Sequence, residues 1–245
     1  MTMTQPLLHR RAGIALWRQL EQAIGRMIAR GEFKPGQQLP TEQALAGRFA
    51  VNRHTLRRAM AELEERGLVR IEQGRGTFVQ EPVIDYKLGK RTRFSENLSR
   101  GGRTPGGRLV RIVEEPARAV AARGLGIPRG ATVVVIETIG EADGQRISYG
   151  RHHFAKQRLG GIAAAYRQEG SISAALRALG IDNYSRRSTR VIARMPTAEE
   201  ARHLAQPRSR PVLISESVNV DERERPIEFG IAVFASDWVQ LVIEP

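Results

Sequence analysis

The first third of the chain is patterned for amphipathic helices. Between residues 13 and 33, apolar side chains recur every three or four positions, a spacing that predicts one helix with a single buried face. Gly31 follows the last of them and supplies a helix stop. The positions expected to face inward are Ile14, Trp17, Leu20, Ile24, Met27 and Ile28.

Two shorter helices and a hairpin follow this helix. Thr41 is a good N-cap for a second helix, and Asn52 for a third whose Leu56, Met60 and Leu63 face inward. The stretch "LVRIEQGRGTFV" predicts two short strands around a glycine-rich turn. This order of elements predicts a winged helix-turn-helix domain over residues 8–79.

The pattern changes after residue 79. Residues 80–91, "QEPVIDYKLGKR", have no helical period and predict an extended linker. From residue 92 to 245, runs of alternating apolar residues are interrupted by short helical stretches, with a hairpin signal at Asp143-Gly144. We therefore predict an α+β protein whose second domain, residues 92–245, has a mainly antiparallel sheet.

The charge balance points to a polyanionic partner. The 245 residues carry a net charge of +13, and nearly all of the cations are Arg, whose planar fork suits phosphate oxygens and guanine edges. Residues 1–80 hold 13 Lys and Arg against 7 Asp and Glu, a denser excess than in the remainder. The absence of Cys, of an apolar spanning run and of a secretory signal predicts a cytoplasmic protein without a membrane partner.

The third helix and the hairpin supply candidate DNA contacts. In a helix-turn-helix this helix enters the major groove with its first turns near the base edges, while a wing can reach the minor groove. Double-stranded DNA is the expected partner. The candidate contact residues are Thr41, Asn52, Arg53, His54, Thr55, Arg57, Arg58, Arg75, Gly76 and Thr77.

These motifs resemble a known family. The ordered set "GEFKPG", "LPTE", "LAGRFAVNRHTLRRA", "LEERGL" and "GRGTFV" is similar to the GntR-family winged-helix repressors. The resemblance implies DNA contacts at Thr41, Arg53, Thr55, Arg57 and Gly76. Gln43 stands where the family often has Arg, which implies a different operator sequence.

The second domain resembles the HutC branch of that family, whose UTRA effector domain has a chorismate-lyase-like fold. The motifs "TRFSENL", "ADG" and "RPIEF" carry this likeness, and together with "FAVNRHTLRRA" they resemble PhnF-type repressors of phosphonate uptake and degradation genes. An anionic effector and a homodimer are therefore expected.

Two segments are candidates for the effector site. The start of the predicted helix at 92–100 offers free N–H groups, hydroxyls and cations suited to an anion, at Arg91, Thr92, Arg93, Phe94 and Ser95. In "ISYGRHHF", Tyr149, Arg151 and His153 share one face of a strand, and Ser148, His152 and Phe154 share the other. We select the helix start, the face of the strand with Tyr149, Arg151 and His153, and Glu228 in "PIEF". Either face of the strand could line a pocket.

The leading hypothesis is a repressor released by a phosphonate or phosphate-containing effector. Urocanate, a fatty acid or a sugar phosphate remains an alternative signal, although sugar-phosphate readers of this branch tend to carry Arg where this chain has Thr138 and Gly140. A chorismate-lyase-like enzyme is the remaining alternative. The sequence holds no nucleophile elbow, Walker loop or zinc spacing, so no enzyme, cofactor or metal is expected.

Overall fold

The computed structural model describes residues 14–72, 74–80 and 83–243, and the chain divides into two compact units, Met1–Pro82 and Val83–Pro245. No helix within these described ranges is long and apolar enough to cross a bilayer. The elements of the first unit are α1 (Leu16–Ala29), α2 (Glu42–Arg48), α3 (Arg53–Glu65), β1 (Val69–Glu72) and β2 (Gly76–Val79).

The first unit is a winged helix-turn-helix, as predicted. Thr41 caps α2 by accepting a hydrogen bond from the Ala44 amide at 3.2 Å, and Asn52 caps α3 through the Thr55 amide at 2.8 Å. The core contains Leu20 and Ile24 of α1 and Leu56 and Leu63 of α3, all fully buried. Strands β1 and β2 pair antiparallel to form the wing.

The second unit is built on a six-stranded sheet in the order β4-β5-β6-β9-β8-β7, with every neighbouring pair antiparallel. This confirms the α+β prediction. Its sheet strands are β4 (Pro105–Pro116), β5 (Thr132–Ala142), β6 (Gln145–Ala155), β7 (Tyr184–Arg194), β8 (Val212–Asp221) and β9 (Pro226–Ala235). The remaining elements are β3 (Ile84–Leu88), α4 (Phe94–Arg100), α5 (Ala119–Leu125), α6 (Lys156–Leu159), α7 (Ile162–Glu169), α8 (Ile172–Ala178), α9 (Ala198–Leu204) and β10 (Val239–Ile243).

Residues 84–88 differ from the linker prediction. They form β3, which pairs in parallel with β10 and belongs to the second unit. The side chains of Ile84, Tyr86 and Leu88 are buried while Asp85 and Lys87 between them are exposed. This period-two alternation is the physical reason for the strand, because one face of the segment packs on the apolar cluster that contains Leu98 and Phe234.

Different elements cover the two faces of the large sheet. Helices α5 and α9 pack on one face, which we call the back face. On the other, the pocket face, α4 and β3 cover one region and α6, α7 and α8 cover a second. A cavity of about 430 Å³ opens on the pocket face and is lined by residues of β3, α4, α7, α8 and all six strands of the sheet.

Candidate functional site

The start of α3 presents part of the cationic surface that the sequence predicts. Arg53 and His54 are exposed in its first turn, and Thr55 is half-buried. The Nε of Arg57 donates to both carboxylate oxygens of Glu42, at 3.0 and 3.2 Å, and so ties α3 to α2. Arg53 and His54 therefore lie at the N-terminal end of α3, while Arg57 also orients the helix through its contact with Glu42.

Arg58 and Asn52 are also engaged within the unit. The guanidinium of Arg58 lies over the ring of Trp17 at 4.4 Å, a cation–π contact that holds it toward α1. The carboxamide oxygen of Asn52 accepts the Thr55 amide, so the helix cap already fixes the orientation of this side chain. Arg53 thus becomes the principal candidate for reading base edges.

The wing is braced at its tip. The Nε2 of Gln38 donates to the carbonyl of Arg75 at 2.7 Å, and Gly76 next to it has φ of +117°. A Cβ at Gly76 would lie 2.5 Å from Gln38 Nε2, so the brace requires glycine there. Arg75 also pairs with Glu72 at 2.5 Å, and Thr77 accepts the Leu39 amide through its carbonyl.

Arginines and hydroxyl groups converge on the cavity of the second unit. The guanidinium of Arg93 lies over the Tyr184 ring at 4.1 Å, and Arg186 Nε approaches Asn219 Oδ1 at 3.5 Å. Further polar groups on the wall come from three strands of the sheet: Thr138 of β5, Ser148 of β6, and Ser215 and Ser217 of β8. Cations and small donors around a concave site are suited to a compact anion.

A histidine and a carboxylate pair on the sheet side of the cavity. His152 Nδ1 lies 2.6 Å from Glu228 Oε1, and Asn219 Nδ2 donates to Glu228 Oε2 at 2.7 Å. Burial alone would raise the pKa of Glu228, but the hydrogen bond and charge of His152, with smaller contributions from Asn219 and Arg186, hold it below its ordinary value. Glu228 is therefore an ionised group held inside the protein.

The selection of Tyr149, Arg151 and His153 as cavity residues is wrong, because all three lie on the back face. Tyr149 donates its hydroxyl to Glu137 at 2.8 Å, and Arg151 Nε donates to the same carboxylate at 3.0 Å. His153 is buried against the Phe229 carbonyl at 3.1 Å. Alternation along β6 therefore puts the other set, Ser148 and His152 with Gly150 between them, toward the cavity.

The back-face carboxylate Glu137 is fully buried and is the centre of an ionic cluster whose arginines reach solvent. Arg111 donates Nε and Nη2 to its two oxygens, both at 2.8 Å. Burial would raise the pKa of Glu137, but the hydrogen bonds from Arg111 and Tyr149 and the charge of Arg151 lower it. Burial and the Glu137 hydrogen bond both raise the pKa of Tyr149, so its hydroxyl stays a donor.

The segment 91–95 is brought to the cavity only in part. Thr92, Arg93, Phe94 and Ser95 line it, whereas the exposed Arg91 donates to Asn183 at 2.7 Å and is not among the lining residues. The helix begins at Phe94 with Arg93 at the cap position, and the Thr92 hydroxyl is hydrogen bonded to the Gly89 backbone.

Several lining residues were missed in the sequence. They are Arg186, Ser215, Ser217 and Asn219, while His152 lies on the face of β6 that the sequence left as the alternative. Ser215, Ser217 and Asn219 occupy every second position of β8, with Glu216 and Val218 between them. Small polar residues that recur with a period of two in a strand are the signal that could have found them.

Comparison with known proteins identifies the class of the chain. Residues 16–79 match the family model described as bacterial regulatory proteins, gntR family, and residues 100–240 match the UTRA domain. An HTH-type transcriptional regulator of Rhizobium meliloti (strain 1021) is 38% identical, over 99% of this chain and 100% of its own length.

Two further relatives are both named PhnF. A protein of Escherichia coli (strain K12) named "Probable transcriptional regulator PhnF" is 34% identical and covers 92% of each chain. The crystal structure of PhnF from Mycobacterium smegmatis aligns with a TM-score of 0.63 at 27% identity, over 92% of this chain and 98% of that one. The chain belongs to the gntR family of bacterial transcriptional regulators, in its UTRA-containing, PhnF-like branch, and is a regulator rather than an enzyme.

Proposed function

We propose that the protein is a cytoplasmic repressor that binds double-stranded operator DNA as a homodimer and is released by a small phosphonate or phosphate-containing effector. Residues 8–79 carry the DNA-binding function. Residues from Val83 onward, rather than from residue 92, carry effector binding and dimerisation, because β3 belongs to the second unit. Residues 80–82 then separate the DNA-binding segment from the effector-binding segment in the sequence.

Exposure and position support the DNA interface. Arg53 and His54 are exposed in the first turn of α3, the part of a recognition helix that meets base edges. The capped start of α2 at Thr41 and the braced wing with Arg75 suit contacts to the phosphate backbone. Thr55, Arg57 and Gly76 stay in the proposal with orienting roles, and Arg58 with Trp17 supports the helix.

A homodimer follows from the small size of one winged helix. A single recognition helix reaches only a few base pairs, and two-fold pairing doubles both the contacts and the length of the site. Sedimentation of the pure protein is expected to give a dimer at micromolar concentration. A monomer at every concentration tested would contradict this part of the proposal.

The observation that carries the effector proposal is the convergence of Arg93, Arg186 and His152 on one cavity together with the hydroxyls of Ser215 and Ser217. A phosphonate group offers three acceptor oxygens and negative charge, which these donors can satisfy together. The cavity volume of about 430 Å³ suits a small molecule of this kind.

A selection experiment followed by release tests the proposal. Duplexes enriched from a random pool by the full-length protein give the operator, and binding is then measured with 2-aminoethylphosphonate, methylphosphonate, inorganic phosphate, glucosamine 6-phosphate, urocanate and a fatty acid. A phosphonate or phosphate is expected to weaken operator binding most. If urocanate or the fatty acid weakens operator binding most, the proposed effector class is wrong. If the protein enriches no duplex, the proposal of DNA binding is wrong.

A further inference from the structure

The imidazole of His152 spans the gap between a buried carboxylate and the cavity. Its Nδ1 lies 2.6 Å from Glu228 Oε1, and its Nε2 lies 3.5 Å from the Thr138 hydroxyl on the neighbouring strand. The side chain is 23% exposed, whereas that of Glu228 is only 5% exposed. Both residues line the cavity, and the histidine is the more accessible of the two to a molecule bound there.

The partners of Glu228 fix the orientation of the ring. Asn219 donates to one carboxylate oxygen, and the other oxygen must receive its hydrogen bond from His152. Because an ionised carboxylate only accepts, Nδ1 carries the hydrogen and the Nε2 edge is left for the cavity. That edge accepts a hydrogen bond when the ring is neutral and donates one when the ring is protonated.

Gly150 leaves the space for this arrangement. It stands two residues before His152 on β6, so both positions face the cavity. A Cβ at Gly150 would lie 2.8 Å from His152 Nε2 and 3.1 Å from Thr138 Oγ1. Any larger residue there would push the ring away from Thr138.

We propose that His152 is the specificity-determining residue of the cavity, that its Nε2 binds an oxygen of the effector's phosphonate group, and that Glu228 is a positioning residue behind it. This inference rests on the proposed function and names the contact within it. Glu228, which the sequence suggested as a direct effector contact, then acts only by holding the imidazole and its tautomer.

The chemistry of the contact selects among oxyanions. A phosphoryl group loses its second proton at a pH of about 6, so one proton can lie on either side of the hydrogen bond to Nε2. A monoprotonated phosphonate donates to the neutral ring, and a dianionic phosphonate accepts from the protonated ring. A sulfonate of the same shape brings no proton and can use only the second arrangement. Phosphonates are therefore preferred over sulfonates.

Titration calorimetry on the full-length protein tests this preference with an isosteric pair, 2-aminoethylphosphonate and 2-aminoethanesulfonate. The wild type is expected to bind the phosphonate at least about tenfold more tightly, the effect of one charge-assisted hydrogen bond. His152→Gln and His152→Asn cannot take up a proton, and both are expected to reduce the ratio to within about threefold. His203→Gln, whose ring stacks on Tyr149 on the back face, should keep the wild-type ratio.

The role of Glu228 has its own readout. Long-range ¹H–¹⁵N spectra of the histidine rings should show His152 with hydrogen on Nδ1 in the wild type, and loss of that signature in Glu228→Gln. Cooperative thermal unfolding like that of the wild type shows which variants are folded. The ratio of phosphonate to sulfonate affinity is judged from a histidine variant that passes this test, and the Glu228→Gln spectrum is used on the same condition.

The two proposals fail in different ways. If the wild type binds 2-aminoethylphosphonate and a folded His152 variant keeps the tenfold preference, the inference about His152 is wrong while the effector class stands. An unchanged His152 signature in Glu228→Gln contradicts the positioning role. If the wild type binds neither compound but binds urocanate or a fatty acid, the effector class is wrong and the inference falls with it.

Discussion

The two units of this regulator build their candidate sites in opposite ways. In the winged helix, the candidate contacts lie between residues 41 and 77, and Arg53, His54 and Arg75 are exposed. In the second unit, the cavity draws on residues from Tyr86 to Phe234, and Ser215 and Ser217 on its wall are buried. One site is a local surface of consecutive elements, and the other exists only after distant strands have paired.

This difference follows from what each site has to bind. A DNA duplex is a large polyanion, so cations on one capped helix and a hairpin can reach it without enclosing it. A small anion has too little surface for that and must be surrounded by donors in a space that excludes water. The second unit therefore depends on long-range pairing and on buried charge. Five predictions test this contrast between the two units.

The largest expected effect is a loss of folding stability, and it compares a buried carboxylate with an exposed one. Glu137→Gln removes the negative charge that Arg111 and Arg151 share and should lower the free energy of unfolding of the second unit by about 3 kcal/mol. Glu42→Gln is the matched control in the first unit, because its pair with Arg57 is exposed and should contribute less than about 1 kcal/mol. Urea unfolding followed by circular dichroism measures both.

The same substitution has a predicted pH dependence. The folded-state pKa of Glu137 is lower than its ordinary value of 4.5, so its stabilisation is present above pH 4.5 and is lost as pH falls below that value. The difference between wild type and Glu137→Gln should therefore shrink on the acid side. A difference that is constant from neutral to acid pH would contradict the ionised cluster.

The next effect concerns the exposed site. Arg53→Ala is expected to lower affinity for the selected operator by about 2 kcal/mol, or roughly thirtyfold, and to relax specificity at one base pair. Arg129→Ala, an exposed arginine of the second unit, removes the same charge and serves as the control. Fluorescence anisotropy at fixed salt measures both. Equal losses in the two variants would mean that net charge, rather than a groove contact, explains the binding.

The sequence predicted the winged helix well because its signals are local. Caps at Thr41 and Asn52 and the apolar spacing of Leu56, Met60 and Leu63 need no knowledge of the rest of the chain. One exception is Ile14, which continues the apolar pattern of α1 but is 50% exposed. It precedes the first residue of the helix, so the helical spacing no longer decides which way it points.

The cavity could be predicted only in part for the opposite reason. The sequence shows that residues of β6 alternate, but which set faces the cavity depends on what covers each face. Tyr149, Arg151 and His153 have attractive side chains for binding, yet they meet Glu137 of β5 and the Phe229 carbonyl of β9 on the back face. Only the pairing of these strands decides between the two sets.

An effect of similar size is expected at the tip of the wing. Gly76→Ala requires a φ near +117° and brings a Cβ against Gln38, so it should destabilise the first unit by about 2 kcal/mol and weaken operator binding. Gly74→Ala is the matched variant, since Gly74 also has positive φ but open space around its Cβ, and it should cost about 1 kcal/mol. Thermal unfolding and anisotropy measure the two. Equal effects would show that the Gln38 brace has no role in the wing.

The smallest expected effect tests which face of the sheet binds the effector. Ser217→Ala removes one hydroxyl from the cavity wall and should weaken binding of 2-aminoethylphosphonate by about 1 kcal/mol, roughly fivefold. Tyr149→Phe removes one hydroxyl from the back face, where it donates to Glu137, and should lower stability without changing effector affinity beyond about twofold. Because each change deletes a single oxygen, the pair differs mainly in the side of the sheet that it alters. A loss of effector affinity in Tyr149→Phe equal to that in Ser217→Ala would mean that the back face contributes to the site after all.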